Sequence, residues 1–427
     1  MTTPNSNESD DSLDTNKDGE GSVSAAQNEN GNADELLSIS LIEKLKKGSD
    51  PFSVHRCIYK IPNVLRKQNE KAFIPSVVSI GPFHHGKENL KGMEKIKLHY
   101  LRSLLIDRKP PLETKMEDLV KGIRPIESAC RDCYGEKVDL SDDEFVEMMV
   151  IDGCFILEFL RRCTEEVSPV DGDLIFSNAG ILWEVMNDLL LLENQLPWRV
   201  LECLFDLTGE SAMFPLPMLI LNVLKSYVLL QSPKPSGKLK NRHLLDFIRN
   251  SLLGSYEQSQ SDDDSIVSDL IPSVTVLRQA GVKFECGKEE DNSMLNITFK
   301  NGVLEIPPIL VLEENRESLF GNLIAYEQCQ PSLGYQITSY VVVLDNLIKS
   351  NKDVEFLVEK KIMRKILSKD VACFFSRVYK DNRLYNFEYL ELQKQVNTFC
   401  AGGWHKWKMI LRRYYFKNPC SSCSSSS

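Results

Sequence analysis

One carboxylate and two amides stand side by side at Glu193-Asn194-Gln195, between the apolar runs Leu189–Leu192 and Leu196-Pro197-Trp198. An uncharged run of that length is normally buried, and a buried carboxylate without partners costs several kcal/mol. The cluster is therefore either a structural pin inside a helical core or part of a functional pocket. Its residue types define which hydrogen bonds it can make and leave both roles open.

Acidic residues beside apolar ones on predicted helices are the other candidates for chemistry: Asp152, Glu158, Glu193 and Glu327. Burial raises the pKa of a carboxyl group and could equip two of them for acid–base catalysis. The alternative is that each acid pairs with helix-end amides or with an arginine, the candidates being Arg161, Arg162 and Arg199. We favour pairing and assign no catalytic residue. The rival enzyme would use a pocket built from Asp152, Glu158, Glu193 and His84.

Histidine and cysteine pairs resemble metal or redox sites at three places. His84-His85 lies in a Gly/Pro loop without a ligand partner at zinc spacing, so we predict a packing or hydrogen-bonding role. Cys130 and Cys133 have thioredoxin-like spacing but no βαβ context. Cys420 and Cys423 lie in a serine-rich tail, too remote in sequence to complete a four-cysteine site. The sequence has no glycine-rich phosphate loop, GxSxG or HExxH motif, so no cofactor or metal is predicted.

Helices must position most of these residues. Ser141 caps a helix that runs to Arg162 and is apolar nearly all round, which is typical of the middle of a large core. A second apolar helix is predicted over 181–205 and should kink or break at Pro197, because proline lacks the amide hydrogen. The apolar periodicity predicts further helices at 35–47, 87–106, 112–133, 243–253, 318–329, 337–349, 354–360, 370–380 and 385–407.

Alternating apolar and polar residues predict short strands at 282–286, 295–299 and 303–306, the last two joined by a tight turn at Asn301-Gly302. The expected fold is mainly α with a small antiparallel β unit (α+β) and a large helical core. Low hydrophobicity predicts disorder in the acidic tail. The expected segments are a disordered tail 1–34, a domain 35–418 (helical part 35–253, mobile linker 254–269, β unit 273–306, helical part 318–407) and a Cys/Ser tail 419–427.

Composition and charge limit the classes of partner. The 427 residues are 42% apolar and 26% charged, as in an ordinary soluble globular protein. The net charge of -10 comes mainly from residues 1–35, which contain nine acidic residues and one lysine. The rest is nearly neutral, which argues against nucleic acid as a partner. Scattered cysteines and the lack of a signal peptide or of about 18 consecutive apolar residues favour the cytoplasm.

The C-terminal region combines aromatic and basic residues, among them Trp404, Trp407, Arg412 and Arg413. Such a combination suits a membrane headgroup surface. Lipidation of Cys420 and Cys423 would add a second membrane signal. We therefore expect a cytoplasmic protein and keep peripheral membrane contact as an alternative.

Eight ordered blocks together resemble a plant family, the domain-of-unknown-function 247 proteins. The blocks are Cys57–Val64 (CIYKIPNV), Phe73–Gly86 (FIPSVVSIGPFHHG), Asp152–Phe159 (DGCFILEF), Asp188–Leu201 (DLLLLENQLPWRVL), His243–Phe247 (HLLDF), Ile271–Phe284 (IPSVTVLRQAGVKF), Gly302–Pro308 (GVLEIPP) and Asn322–Gln328 (NLIAYEQ). The resemblance covers roughly residues 55–418, and this many ordered blocks rarely match by chance.

The resemblance implies little biochemistry, since most members have none assigned. In grasses, members are associated with pollen self-incompatibility, which implies recognition or signalling rather than metabolism. Typical members resemble tail-anchored membrane proteins, with an apolar span after a block like Tyr415–Pro419. Here Cys420–Ser427 stands in place of the span, as expected of a soluble isoform or a truncated gene product.

Residues and resemblance together predict a non-enzymatic recognition or signalling component, related to self-incompatibility-type proteins, that binds another protein at or near a membrane. One rival is the enzyme described above, and another is a truncated, non-functional paralogue. Carboxylates and an imidazole converging on an open cavity would favour the enzyme, whereas acids each closed against an arginine or an amide would favour the binding protein.

Overall fold

The structure is a computed structural model with two compact units, Met1–Val54 and His55–Ser427. The predicted tails 1–34 and 419–427 and the linker 254–269 lie wholly or mostly outside the described residues. The structure describes residues 34–43, 55–67, 69–106, 112–164, 172–208, 214–228, 240–254, 256, 270–287, 293–310, 316–364, 371–379 and 386–415.

Helices dominate the described chain, and the prediction of a mainly helical fold with a small β unit is confirmed. The first unit contains helix α1 at 34–43, within the predicted helix 35–47 except for its first residue. The helices of the second unit are α2 (Asn63–Arg66), α3 (Lys91–Ile106), α4 (Leu112–Ile123), α5 (Glu127–Arg131), α6 (Asp142–Cys163), α7 (Ala179–Asp188), α8 (Trp198–Thr208), α9 (Leu216–Val228), α10 (Leu244–Leu253), α11 (Val274–Gln279), α12 (Arg316–Cys329), α13 (Gln336–Leu347), α14 (Asn351–Glu359), α15 (Val371–Tyr379) and α16 (Leu390–Tyr415).

Helix α6 is the central element of the core. Ser141 caps it through a capping box: its hydroxyl accepts from the Glu144 amide, and the Glu144 carboxylate accepts from the Ser141 amide. Helices α3, α4, α8 and α9 pack around α6. Gly153 lets α8 approach closely, because a Cβ at this position would lie 2.4 Å from Leu204 Cδ1. The prediction that this helix is buried on nearly every side is confirmed from Phe145 to Arg162, apart from Glu147 and Ile151.

The apolar run predicted as one helix over 181–205 forms two helices, α7 and α8. Residues 189–197 between them form a buried irregular segment that carries Glu193-Asn194-Gln195, and we call it the polar turn. The break ends at Pro197, which cannot donate a helical hydrogen bond and disfavours helical geometry in the residue before it. Proline was therefore the right signal for a break, but the break covers nine residues instead of a single kink.

The β unit is a mixed sheet, which corrects the expectation of a wholly antiparallel one. Its strands are β1 (Lys283–Cys286), β2 (Thr298–Lys300) and β3 (Val303–Ile306), in the order β1-β3-β2. Strands β2 and β3 form the predicted hairpin, with positive φ at both Asn301 and Gly302. Strand β1 instead pairs with β3 in parallel. Hairpin signals are local, whereas this pairing joins segments separated by a longer connection.

The predicted bounds of the β unit, 273–306, also enclose helix α11. Two short strands after the hairpin, β4 (Ile309–Leu310) and β5 (Met363–Arg364), pair in parallel. Helices α12, α13 and α15 pack on one another, and α16 packs against β2. This second helical group meets the first at the polar turn.

Candidate functional site: the polar turn and its buried acids

Asn194 fastens the polar turn to the loop that precedes α3. Its Oδ1 accepts from the Ile80 amide at 2.7 Å. Its Nδ2 donates to the carbonyls of Val78 at 3.0 Å and Asp188 at 2.9 Å. The amide therefore uses its acceptor and both donors, and it replaces the helical hydrogen bonds that the break removes.

Gln195 likewise forms hydrogen bonds with backbone groups, on the other side of the turn. Its Nε2 donates to the carbonyls of Leu189 and Leu191, each at 2.8 Å. Its Oε1 accepts at 3.0 Å from the amide of Leu245, in the first turn of α10. The Gln195 carbonyl accepts from the Tyr134 hydroxyl at 3.0 Å. The side chain thus joins the turn to α10.

Asn322 on α12 is a functional partner of the turn that the sequence interpretation did not single out. Its Oδ1 accepts from the Leu192 amide at 2.9 Å, and its Nδ2 donates to the Ala72 carbonyl at 2.9 Å. The signal was present in the sequence, because an amide side chain in the apolar block 322–328 needs buried partners.

Asp188, at the end of α7, is a second residue that sequence reasoning missed. Its carboxylate accepts from three consecutive amides, those of Ser76 at 3.0 Å, Val77 at 2.8 Å and Val78 at 2.9 Å. Burial raises the pKa of Asp188 to about 6, against the opposing effect of these amides. Its role is to hold the loop backbone in place.

Glu193 lies at the edge of the turn and is held by three groups. Its Oε1 accepts from the Ile61 amide at 2.6 Å and pairs with the Arg66 guanidinium. Its Oε2 lies 3.0 Å from Nε2 of His84. Burial alone would raise the pKa of Glu193, but the hydrogen bonds from His84 and Ile61 and the charge of Arg66 hold it below its usual value.

His84 has a defined tautomer in this arrangement. The Lys87 ammonium, which can only donate, lies 2.7 Å from Nδ1. Nδ1 must therefore accept, and Nε2 carries the hydrogen donated to Glu193. Burial lowers the pKa of His84 and keeps the ring neutral, although Glu193 acts in the opposite direction. Its neighbour His85 is exposed, so the two imidazoles do not share one site.

Asp152 on α6 forms a buried ion pair with Lys97 on α3. Its Oδ1 lies 2.7 Å from Nζ of Lys97, and its Oδ2 accepts from the Gly81 amide at 2.8 Å. Glu94 also contacts the ammonium, at 2.8 Å. Burial alone would lower the pKa of Lys97, but Asp152 and Glu94 raise it, so the lysine is charged.

Glu158 belongs to a separate cluster further along α6. It accepts from Nε of Arg162 at 3.1 Å and from the Ser103 hydroxyl at 3.0 Å. Arg162 also pairs with Asp173 at 2.6 Å and lies over the Tyr100 ring, 4.1 Å from its centroid. Of the predicted arginine partners, Arg162 is confirmed here. Arg161 instead donates to the Thr208 carbonyl, and Arg199 is exposed.

Glu327 on α12 pairs with helix-end amides, as predicted, and with Arg249, which was not among the predicted arginine partners. Its Oε1 accepts from Arg249 at 2.8 Å and from the Ile337 amide at 3.0 Å. Its Oε2 accepts from the amide and the hydroxyl of Thr338, at 2.9 and 2.7 Å. Both amides lie in the first turn of α13, where a carboxylate meets the positive end of the helix dipole.

The four residues of the rival enzyme pocket do not form one open site. His84 contacts Glu193, and Asp152 accepts from the amide of Gly81, which lies in the same loop as His84. Glu158 contacts neither residue and accepts instead from Ser103. Asp152, Glu158, Glu193 and His84 are each at most 3% exposed. An open groove of about 600 Å³ lies between the β2–β3 hairpin and α16, and none of these four residues lines it.

The other predicted motifs carry no metal site in the described part of the chain. No three or more His, Cys, Asp and Glu side chains gather as metal ligands there. None of the described helices has both the length and the apolar character that a bilayer crossing requires. The side chains of Trp404, Trp407, Arg412 and Arg413, and the whole of Cys420 and Cys423, lie outside the described residues.

Fold and site together define a class of mainly helical proteins whose two helical groups are joined by a buried polar turn. The chain belongs to the plant family DUF247, described as plant protein of unknown function, whose sequence profile matches residues 58–426. The resemblance inferred from the eight sequence blocks is thereby confirmed.

Two relatives from Arabidopsis thaliana are similar over most of their length. The UPF0481 protein At3g47200 is 29% identical over 395 residues, which cover 86% of this chain and 82% of the relative. The putative UPF0481 protein At3g02645 is 22% identical over 446 residues, which cover 81% of this chain and 82% of the relative. No solved structure matches the chain.

Proposed function

We propose that this chain is a non-enzymatic recognition component that binds another protein through helix α1 and works at or near a membrane. The observation that carries the proposal is the surface of α1. Five large apolar side chains on this ten-residue helix are between 48% and 63% exposed: Leu36, Leu37, Ile39, Leu41 and Ile42.

A helix of this length is marginal in water on its own, because isolated helices shorter than about 12–15 residues gain too little from propagation. Each large apolar side chain that becomes fully buried contributes about 1.5–3 kcal/mol. An apolar groove on a partner would supply that burial, as in other helix-in-groove complexes.

Charge favours a protein over a lipid surface as the occupant of this face. Within α1, Asp34, Glu35 and Glu43 are acidic and no residue is basic. Residues 1–35 together contain nine acidic residues and one lysine. An anionic bilayer repels such a segment. The partner groove is therefore apolar with a basic rim.

The buried acids support binding over catalysis. The oxygens of Asp152, Glu158, Glu193 and Glu327 accept hydrogen bonds from Lys, Arg, His, Ser, Thr or backbone amides within the chain. A general base needs a lone pair directed at the substrate. The part of the proposal that concerns self-incompatibility-type recognition comes from the family resemblance alone.

The membrane part of the proposal comes from the C-terminal sequence. Trp404, Trp407, Arg412 and Arg413 suit a headgroup surface, and Cys420 and Cys423 are candidates for lipidation. Fractionation of the tagged chain beside a Cys420→Ser/Cys423→Ser variant tests it. Membrane recovery of the parent and its loss in the variant are expected, and parent and variant both remaining wholly soluble would contradict it.

The recognition test compares three forms of the full chain in plant cells: the parent, a Leu36→Asp/Ile39→Asp variant and a Ser38→Asp control on the same helix. Quantitative crosslinking with mass spectrometry should find a protein retained by the parent and the control and lost by the double variant. That protein is then purified and titrated, and at least a tenfold weaker Kd for the double variant is expected. Equal capture or equal affinity for all three forms would overturn the proposal.

A further inference from the structure

Cys57 and Cys133 are brought together by the backbone although they lie far apart in the sequence. The amides of Cys57 and Ile58 both donate to the Cys133 carbonyl, at 2.9 and 3.0 Å, and the Gly135 amide donates to the Ile58 carbonyl at 2.8 Å. Ile58 and Tyr134 form a parallel bridge. Cys57 and Cys133 each precede one residue of that bridge, so they are opposite one another in the same register.

Residues opposite one another on paired segments lie about 4.7–4.9 Å apart in the hydrogen-bonding direction. A disulfide requires Cα atoms about 4.4–6.8 Å apart and side chains on the same side. Both conditions follow from the register, because the residues before two bridged positions of parallel segments lie side by side and their side chains point to the same face. Both cysteines are free in the structure.

We propose that Cys57 and Cys133 are a thiol–disulfide modification site that closes when the chain meets a peroxide. The Cys133 thiolate attacks a peroxide oxygen, the O–O bond breaks, and a sulfenic acid and hydroxide form. The Cys57 thiol then attacks the sulfenic sulfur, the S–S bond forms, and water leaves with the thiol proton. Two thiols and one hydrogen peroxide thus give one disulfide and two waters.

Cys133 is the attacking residue of the pair. The neighbouring Cys57 thiol lowers the pKa of Cys133 and outweighs burial, with a further contribution from the positive charge of Arg199. The same contact raises the pKa of Cys57, which is the resolving thiol. Both side chains are buried, but Asp132 next to Cys133 and Lys60 three residues after Cys57 are exposed, so the paired segments run close to the surface.

Cys130 is the competing partner that the CxxC spacing suggests. It is fully buried on α5, and burial raises its pKa to about 12, so it is a poor nucleophile at neutral pH. The pair that the structure joins is therefore not the pair that the sequence spacing indicates.

The disulfide would also stabilise the polar turn. The Cys57 carbonyl lies 3.0 Å from Nε2 of His243, and the Ile61 amide donates to Glu193. A covalent link at Cys57 fixes one end of this segment, so oxidation should slow hydrogen exchange at the Ile61 amide.

Trypsin separates the three cysteines cleanly. Cys57 falls in CIYK (57–60) and Cys133 in DCYGEK (132–137), while Arg131 leaves Cys130 in a different peptide. The purified full chain is treated with hydrogen peroxide, blocked with N-ethylmaleimide, digested without reductant and mapped by mass spectrometry. The expected product is CIYK linked to DCYGEK, lost on treatment with dithiothreitol.

A Cys130→Ser variant is the matched control and should keep the link and its rate of formation within twofold. Cys133→Ser should abolish the link and leave Cys57 open to alkylation. The first arm uses the unmodified chain, so the test does not depend on the folding of any variant. Oxidation that leaves both peptides alkylated, or that links Cys133 to Cys130 or to a second chain, would overturn the proposal.

Discussion

Replacing Lys97 by methionine tests whether the buried acids are neutralised within the core. Methionine matches the lysine stem in length but removes the ammonium. Asp152 would then keep a single donor, the Gly81 amide at 2.8 Å, for a carboxylate that is 1% exposed. Removing one partner of a buried ion pair costs about 3–5 kcal/mol. Since a whole domain is stable by about 5–15 kcal/mol, the loss is large.

The geometry also predicts that Lys97→Met and Asp152→Asn lose different amounts of stability. In an Asp152→Asn variant, Lys97 keeps Glu94 at 2.8 Å, and the asparagine oxygen can still accept from Gly81. We expect this variant to lose about 1–3 kcal/mol. The double variant removes both charges and should be more stable than Lys97→Met alone, which gives a coupling energy of about 1–3 kcal/mol.

Urea unfolding at pH 7, followed by far-ultraviolet circular dichroism, measures these differences. The deficit of Lys97→Met should shrink toward pH 5, because burial raises the pKa of Asp152 and the loss of Lys97 raises it further. A raised pKa in the folded state contributes stability at low pH that is lost as the pH rises.

The matched control is Lys121→Met. Lys121 pairs with Glu117 at 2.7 Å on the surface, with both side chains more than 60% exposed, and little change is expected. A Lys97→Met chain that unfolds at the urea concentration of the parent, or single losses that simply add in the double variant, would refute the reasoning.

Two further perturbations test the polar turn and its loop. Between pH 4 and pH 7 the parent should lose about 2 kcal/mol of unfolding free energy relative to Asp188→Asn, because the pKa of Asp188 is raised to about 6 in the folded state and the stability that this gives is lost as the pH rises through that value. A difference that is constant with pH in urea unfolding would contradict this. Gly81→Ala should lower the thermal unfolding midpoint clearly more than the control Gly86→Ala does. Both glycines have positive φ, worth about 1–2 kcal/mol, but only at Gly81 would a Cβ lie 2.6 Å from the Gln195 carbonyl; equal losses would show that the close contact is unimportant.

Local patterns predicted the elements well. The Ser141 capping box, the all-round apolar α6 and the Asn301-Gly302 hairpin all depend on residues within a few positions of one another. The parallel pairing of β1 with β3 does not depend on nearby residues, and the sequence of neither strand indicates which strand it pairs with. The expectation of an antiparallel sheet was wrong for this reason.

The same distinction separates the ion pairs that could be predicted from those that could not. Glu158 and Arg162 are four residues apart on one helix, a spacing that places side chains on one face. Glu327 and Arg249 are 78 residues apart, and Glu193 and Arg66 are 127 apart. The sequence indicated that each acid needs a partner, but the fold alone selects which.

The polar turn shows why an amide-rich break in an apolar run indicates architecture before it indicates catalysis. Between α7 and Pro197, the backbone of residues 189–195 has donors and acceptors without helical partners inside a buried core. Asn and Gln side chains carry both a donor and an acceptor, so one residue can satisfy a carbonyl on one segment and an amide on another. Asn194 pairs with the Val78 carbonyl and the Ile80 amide, and Gln195 pairs with the Leu189 carbonyl and the Leu245 amide. A hydrophobic side chain at either position would leave those groups unpaired, which explains the polar residues without assigning them a substrate.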